Sequence, residues 1–355
     1  MKQNTVHRDF HKVERRVLGA ACLTFLLCLP GCAAKKEAET GAAKTVHIGV
    51  FIPGVASGSP IYEMLAQGVR RAAEDFSQEA GAIAEVTIVE GGYNQAEWES
   101  KITAMAAPGS YDLIVSSNPS LPAIAASVSA QFPEQRFLLL DAELAGNPQI
   151  FTMRYDQWEQ AYMAGHIAAL VSREAEGSLL VGLVAGQEYP AMTEVIAPGY
   201  LAGAQAVDPG FALEFRVVGN WFDAGKGAEL AQEMIRRGVS VILPIAGGAN
   251  EGVLRAAYEG GAKIVWFDTN GYNIQPGTVV GSAVLAQEKA AYEQIKRFLE
   301  GNLPFGSAEI VGTAQGYVDF VEDDPDYRAA VSDAVREKQA VLTARFRAGE
   351  GPAGK

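Results

Sequence analysis

A chain of 355 residues, 48% of them apolar, is too long for one ordinary core and has enough apolar content to build two. Its 42 Asp and Glu against 29 Lys and Arg give a formal charge of −13, which argues against nucleic acid and against electrostatic attachment to anionic lipid. Three cysteines and four histidines leave little material for a disulfide framework or for His/Cys metal chemistry.

The chain opens with Lys2, Arg8, Lys12, Arg15 and Arg16, followed by an apolar run from Val17 to Leu29. Basic then apolar is the layout of an export signal, and the run is too short to span a bilayer comfortably. It ends in Leu29-Pro30-Gly31-Cys32, which resembles a bacterial lipobox. That resemblance implies cleavage before Cys32 and lipid on its thiol and new amino terminus; the alternative is a plain secretory signal with a chance cysteine. Cys22 and Cys28 fall inside the segment to be removed, so the mature chain would hold one thiol and no internal disulfide. A multi-acyl anchor holds far better than a single chain. Residues 1–31 therefore read as a lipoprotein signal peptide and residues 32–45, small and polar without periodicity, as a flexible tether. Removing residues 1–31 takes away five basic and two acidic residues, leaving 24 against 40 and a formal charge of −16. No apolar segment after Leu29 is long enough to cross a membrane.

From Val46 the pattern alternates between strand and helix. Strands are predicted at 46–52, 84–89, 113–115 and 137–140, with a helix at 61–76 carrying Met64, Leu65, Val69 and Ala72 on one stripe, a second helix before 113, and a third at 121–128. The fourth strand stops at Asp141. A short strand at 150–153 leads into a helix at 157–171, and the alternation resumes: strand 178–184, helix 193–206, strand 213–218, helix 225–237, strand 241–243. A glycine turn at Ala246-Gly247-Gly248-Ala249-Asn250, a short helix and the strand 264–267, ending in Asp268, follow. The remainder offers a strand at 279–283, a helix at 287–299, a break at Asn302-Leu303-Pro304, apolar fragments at 309–311 and 317–320, and a last helix over 326–347.

Strands and helices alternating at these lengths mean parallel sheets covered by helices on both faces. The second run reads as a second copy of the first, without a clear residue-level repeat. The expected fold is α/β: two doubly wound parallel-sheet lobes joined by a hinge that the chain crosses more than once. We assign 46–150 plus about 279–305 to an N-terminal lobe, 151–278 plus about 306–347 to a C-terminal lobe, and 348–355 to a disordered tail.

Catalytic signatures are missing from the sequence: no Gly-x-Ser-x-Gly elbow, no Gly-x-x-x-x-Gly-Lys-Ser/Thr loop, no Gly-x-Gly-x-x-Gly after the first strand. His47 lies in a strand and His166 at helical spacing, so both read as structural, and no metal-ligand spacing occurs. The strand ends offer aromatics, hydroxyls, amides and acids instead. They are Ser57 to Tyr62, with Ser59 placed to cap the helix beginning at Pro60; Ser117 and Asn118; Asp141; Gln187 and Tyr189; Asn220-Trp221-Phe222-Asp223; Gly247 to Asn250; and Asp268 to Tyr272. Any one of these is a turn or cap residue in its own right, and Asp268 alone reads equally as cap or contact. Together they line one rim of each sheet, where open parallel sheets bind ligands. Such a cleft would stack a flat ring between aromatic faces and hydrogen-bond a polyol or amide edge.

Over Val46 to about Phe320 the chain resembles the basic membrane protein family of lipoprotein receptors for ABC importers. The resemblance is carried by Tyr111 to Val115, Phe137 to Asp141, Arg154 with Glu159 to Gly165, Val184-Ala185-Gly186, Ala197-Pro198-Gly199-Tyr200, Ala202-Gly203, Val218 to Gly227, Ala246-Gly247-Gly248, Phe267-Asp268 and Pro276-Gly277. It implies a type I periplasmic-binding-protein fold and a non-enzymatic capture role. It also implies that Trp221 falls where nucleoside receptors stack a Phe, Gly247 where a glycine turn meets the ligand, and Asp268 where a carboxylate holds sugar hydroxyls. Two positions depart from the nucleoside receptors: Tyr62, displaced by one, replaces a stacking ring of the first helix, and Leu285 stands where a lysine reaches the base. The Ser57-Gly58-Ser59-Pro60-Ile61-Tyr62 run resembles a riboflavin-binding branch.

The expected ligand contacts are Ser57, Ser59, Tyr62, Ser117, Asn118, Asp141, Tyr155, Gln187, Trp221, Gly247, Asn250, Asp268 and Asn270, with Cys32 lipidated and no catalytic or metal-binding residue. The expected function is a lipid-anchored importer receptor for riboflavin or a similar ring-plus-polyol ligand, the alternative being a purine nucleoside receptor. A sugar or autoinducer receptor and a nucleoside-processing enzyme stand below these. The resemblance further implies permease subunits in the cytoplasmic membrane as partners, a bilayer reached through Cys32, no nucleic acid, no resident cofactor, a monomer, and a periplasmic body in the cell envelope.

Overall fold

Near-continuous apolar strands buried on both faces demand parallel pairing with helices above and below, and the chain builds this twice. The computed structural model describes residues 45–351 apart from Gly58, Gly81 and Tyr93. The expected signal peptide, Cys32, all but the last residue of the tether, and residues 352–355 lie outside the described residues. Strands β1 (Thr45–Ile52), β2 (Ile83–Glu90), β3 (Leu113–Ser117), β4 (Phe137–Leu140), β5 (Ile150–Tyr155) and β11 (Ala308–Val311) form one sheet in the order β11-β5-β4-β3-β1-β2, parallel throughout. Strands β6 (Leu180–Ala185), β7 (Ala212–Val217), β8 (Val241–Ile245), β9 (Lys263–Asp268), β10 (Val279–Leu285) and β12 (Val318–Phe320) form the other, in the order β12-β10-β9-β8-β6-β7. Its pairs are parallel except β12 against β10. The two orders superpose strand for strand, so the repeat that residue identities hide is plain in the topology.

Alternation along each strand feeds both faces. In β1, Ile48, Val50 and Ile52 join Leu65 and Val69 of α1 (Pro60–Ala80), while Phe51 joins Trp98 and Ile102 of α2 (Trp98–Ala106) and Leu121 of α3 (Leu121–Gln131). In the second lobe, α4 (Gln157–Glu174) and α5 (Ala197–Val207) approach until their backbones touch: a Cβ on Gly165 would lie 1.9 Å from the Tyr200 carbonyl oxygen, and one on Gly203 2.0 Å from that of Tyr162. The other helices are α6 (Ala224–Arg236), α7 (Asn250–Gly260), α8 (Gln287–Leu299), α9 (Pro325–Ala330) and α10 (Asp333–Arg347). The edge strand β7 carries Glu214, whose carboxylate holds Arg216 at 2.6 Å and Arg237 at 2.9 Å.

The chain passes between the sheets at β5 to α4, at β10 to α8, and between β11 and β12. Backbone and side chain stitch these passages together: Asp156 N–H donates to Val311 (2.8 Å), Ala286 N–H to Tyr317 (2.9 Å), Thr313 N–H to the Glu159 carboxylate (2.8 Å), and Lys289 Nζ to the carbonyls of Gln315 and Gly316 (3.1 and 3.2 Å).

Several expected boundaries need correction. Residues 279–285 belong to the second sheet, because β10 pairs with β9 and β12; within the expected 279–305 segment it is α8 that packs against α1 of the first lobe. Conversely, β5 and β11 complete the first sheet by pairing with each other, although 151–155 and 308–311 were expected in the second lobe. Strand periodicity identifies a strand but not its sheet. The expected helix over 326–347 is two helices, since Val331 is extended and Ser332 starts α10 by accepting the Val335 N–H. The expected tail begins with ordered backbone: Ala348 N–H bonds to Ala344 and Gly349 N–H to Phe346.

The contact between α4 and α5 leaves no room for a side chain. Gly203→Ala should therefore cost about 1–3 kcal/mol by forcing the helices apart, read as a lower midpoint in urea denaturation. Gly260→Ala, whose methyl would meet only the Ile235 side chain at 3.1 Å, should stay within about 1 kcal/mol of the parent.

Candidate functional site

Polar chemistry collects beyond the carboxyl ends of the central strands. Strands β4 and β9 hold equivalent places in the two sheets, and each gives way to an aspartate in the left-handed region, Asp141 at φ 49° and Asp268 at φ 70°. Among the described residues, Glu176 is the only other non-glycine with positive φ. Left-handed backbone costs an ordinary residue roughly 1–2 kcal/mol, less for asparagine and aspartate, so finding it at the same place in both lobes marks these positions as more than turns.

On the second lobe, Trp221 stands on the loop after β7. Asn220 Oδ1 accepts the N–H groups of Phe222 (3.0 Å) and Asp223 (2.8 Å), and Asp223 caps α6 through the Lys226 N–H (2.9 Å), so the loop is held firmly. Glycine makes the seat for the indole: a Cβ on Gly186 would lie 2.5 Å from the ring. Gly247, at φ 59°, would place a Cβ 2.7 Å from the Trp221 carbonyl oxygen, which accepts the Gly248 N–H at 2.8 Å. Tyr189 lies tilted on Trp221, ring centres 6.1 Å apart at 46°. Its phenol is raised well above the ordinary value by burial and then by the charges of Asp141 and Asp268.

On the first lobe, Tyr62 packs on Gly54, where a Cβ would come within 3.3 Å of the ring, and accepts a hydrogen bond from Asn118 Nδ2 at 3.3 Å. Its hydroxyl is pushed up to about 12, chiefly by burial; Asn118 draws it down and Asp141 adds a smaller rise. Asn118 Oδ1 accepts the Ser120 N–H (2.9 Å), and the buried Ser117 hydroxyl at the end of β3 has no partner among the described residues.

Asp141 is raised from the ordinary carboxylate range to about 7 by burial first and by the Asp268 charge second, with Arg154 opposing. Arg154 itself is paired with Glu143 at 2.7 Å. Asp268 is raised to about 6 by burial, opposed by Gln160. Gln160, fully buried in the first turn of α4, donates from Nε2 both to Asp268 Oδ1 and to the Ala283 carbonyl, each at 3.0 Å. Its Oε1 has no partner among the described residues.

Of the expected contacts, Tyr62 and Asn118 touch each other on the first lobe, Trp221 and Gly247 on the second, and Asp141 and Asp268 hold the equivalent strand ends. Ser59 is partly buried, and its carbonyl accepts the Tyr62 and Glu63 N–H groups (3.0 Å each) to start α1; Ser57 and Gln187 are exposed. Three need reassignment. Tyr155 is fully buried behind the acids and donates its hydroxyl to Gln287, so it serves the hinge. Asn250 Oδ1 accepts the Ala246 N–H at 2.7 Å and braces the glycine turn. Asn270 is exposed, donates to Asp324 at 2.8 Å and accepts the Tyr272 N–H at 3.2 Å, which makes it a turn residue tied to α9. Leu285, where the nucleoside receptors carry a lysine, is buried in β10. Gln160 was missed, and its signal was an amide in the first turn of a helix that follows a crossing strand. Tyr189 was seen only as a strand end.

The family described as ABC transporter substrate-binding protein PnrA-like matches residues 45–350. Basic membrane protein D of Borreliella burgdorferi is 31% identical over 43% of this chain and 45% of its own length. ABC transporter nucleoside-binding protein BmpA of Lactococcus lactis is 26% identical over 41% of this chain and 40% of its own. The chain spans about half the length of these curated relatives. A crystal structure described as an ABC transporter system solute-binding protein, from Aeropyrum pernix, superposes with a TM-score of 0.67 at 23% identity, covering 87% of this chain and 82% of that one, which shows the fold.

Both acids have folded-state values above the ordinary carboxylate range. The stability tied to their protonation is complete below that range and is lost as pH rises through about 6 and 7. Asp141→Asn should match the parent near pH 4 and exceed it by about 1–2 kcal/mol at pH 8, seen as a gap in melting temperature that widens with pH.

Proposed function

The chain belongs to the family of PnrA-like ABC transporter substrate-binding proteins, and we propose that it captures a ring-plus-polyol ligand, riboflavin first, between its two lobes for delivery to an importer. The observation that supports this is the Trp221–Tyr189 pair on one lobe, Tyr62 held by Asn118 on the other, and a carboxylate at the equivalent strand end of each sheet. A flat ring placed between Trp221 and Tyr62 gains from overlapping area, and a tricyclic ring gains more than a bicyclic one. Asp268, already gripped by Gln160, accepts hydroxyl donors of the chain attached to the ring. A ligand that touches both lobes stabilises their closed arrangement by its differential contacts and nothing else. No proton transfer is asked of these acids; they hold hydroxyls.

A purine nucleoside is the second reading, favoured by the similarity to the nucleoside-binding protein of Lactococcus lactis. The buried Leu285 weighs against it, since no cation reaches a base from that position. We also infer that Cys32 carries the lipid, that the body works as a monomer in the cell envelope, in the periplasm, and that the permease subunits lie in the cytoplasmic membrane.

Riboflavin added to the protein should lose fluorescence and raise the melting temperature. A colourless protein unmoved by riboflavin and by every nucleoside overturns the ligand class. Asp268→Ala should weaken binding roughly 10- to 150-fold, the cost of a lost hydrogen bond to a charged group, as read by titration; undiminished affinity would make Asp268 only a turn residue. Cys32→Ser should move the protein from the membrane fraction to the soluble fraction, and its staying with the membrane would contradict the lipid anchor.

A further inference from the structure

The oxygens of Asp268 stand in different situations. Oδ1 accepts the Gln160 Nε2 hydrogen bond at 3.0 Å, whereas Oδ2 has no hydrogen-bond partner among the described residues and is not closed off from solvent. Gln160 is fully buried in the first turn of α4, and Nε2 also donates to the Ala283 carbonyl, again at 3.0 Å. Ala283 pairs with Phe267 across β10 and β9, next to the Val284–Asp268 pair, so one amide spans both strands where the acid emerges. With both protons given to acceptors, the amide has a single orientation. Turned over, it would set its own oxygen against the carboxylate and the carbonyl. Oε1 is left buried without a partner among the described residues. Buried acceptors are ordinarily paired, so this amide is placed for its donors.

The turn that carries Gln160 is itself held. Asp156 Oδ1 accepts the Glu159 N–H at 3.1 Å, the Asp156 N–H donates to Val311 at 2.8 Å, and the Glu159 carboxylate accepts the Thr313 N–H at 2.8 Å. Adjacent residues of one helical turn thus fasten α4 to the passage between β11 and β12 through Glu159, and to the end of β9 through Gln160. A carboxylate gripped by a donor on so fixed an element has its plane set before any ligand arrives.

We propose that Gln160 is a positioning residue for the hydroxylated chain of the ligand: it fixes the Asp268 carboxylate and leaves Oδ2 as the acceptor for ligand hydroxyls. Gln160 thereby sets the preference for a ring bearing hydroxyls over the same ring without them. It acts through Asp268, not on the ring. The assignment rests on the reading of the site as a ring-plus-polyol pocket in which Asp268 accepts hydroxyl donors.

Riboflavin and lumiflavin share the tricyclic ring and differ in the hydroxylated chain, so fluorescence titrations with both separate positioning from a role in the core alone. In Gln160→Met, similar in length but without donors, riboflavin affinity should fall roughly tenfold, the lower end of the worth of a hydrogen bond to a charged group. Lumiflavin affinity should stay within about twofold of the parent. In the Asp268→Ala background the same substitution should change riboflavin affinity by less than about twofold, because the carboxylate it acts through is gone. Equal losses for riboflavin and lumiflavin, or an undiminished loss in the Asp268→Ala background, overturn the positioning role and leave Gln160 a core residue. Should Gln160→Met fail to melt cooperatively, Gln160→Asn, which keeps an amide but withdraws it by one methylene, carries the same comparison. Adenosine against adenine covers a nucleoside ligand. If the parent binds neither riboflavin nor adenosine, the ring-plus-polyol reading fails and takes this assignment with it. If the parent prefers riboflavin to lumiflavin and Gln160→Met keeps that preference, the reading stands and Gln160 alone loses its role.

Discussion

Parallel pairing is the constraint on which the rest of this molecule depends. A parallel strand has to be reached by a return over the sheet, so each strand is followed by a helix and all strands of a sheet deliver their carboxyl ends to one rim. Apolar side chains on both faces, such as Ile48, Val50 and Phe51 of β1, hold the helices in place and leave that rim as the edge where polar residues collect. Building the sheet twice sets two such rims in one chain, and the passages between them supply the flexible part. Everything with chemical interest lies on a rim or in a passage.

The acids show what that arrangement costs and what it yields. Each aspartate has its backbone in the left-handed region and its carboxyl raised above the ordinary range, chiefly by burial. A protein selected only for stability would place asparagine or glycine at both positions. Retaining two carboxylates concentrates acceptor strength where a ligand rich in hydroxyls can be gripped from both sides. The second lobe supplies a braced surface for the ring, because Gly186 and Gly247 allow Trp221 to lie directly on the backbone.

Much of the fold was legible in the sequence for a physical reason: buried parallel strands are short apolar runs with sharp ends, and few other structures look like them. The strand at Phe137–Leu140 stopping at Asp141 and the one stopping at Asp268 were readable down to the terminal acid. Sheet membership was not readable, because the pairing of β5 with β11 or of β10 with β12 depends on contacts far apart in the chain. The site divided the same way. Trp221, Gly247 and Asp268 could be placed by strand ends and by family likeness. Asn250 and Asn270 looked equally suitable, and only the hydrogen bonds to Ala246 and Asp324 reveal them as turn braces. Gln160 was invisible because a glutamine in a helix gives no sign of being fully buried against an acid on another element.

The interleaved passages have a consequence for how the chain acquires its structure. The first sheet ends with β11, which is made only after every strand of the second sheet except β12, so no lobe is a contiguous piece that could finish on its own. Contacts this distant in sequence close late and slowly, and the amino-terminal strands wait with exposed apolar edges until the final quarter of the chain arrives.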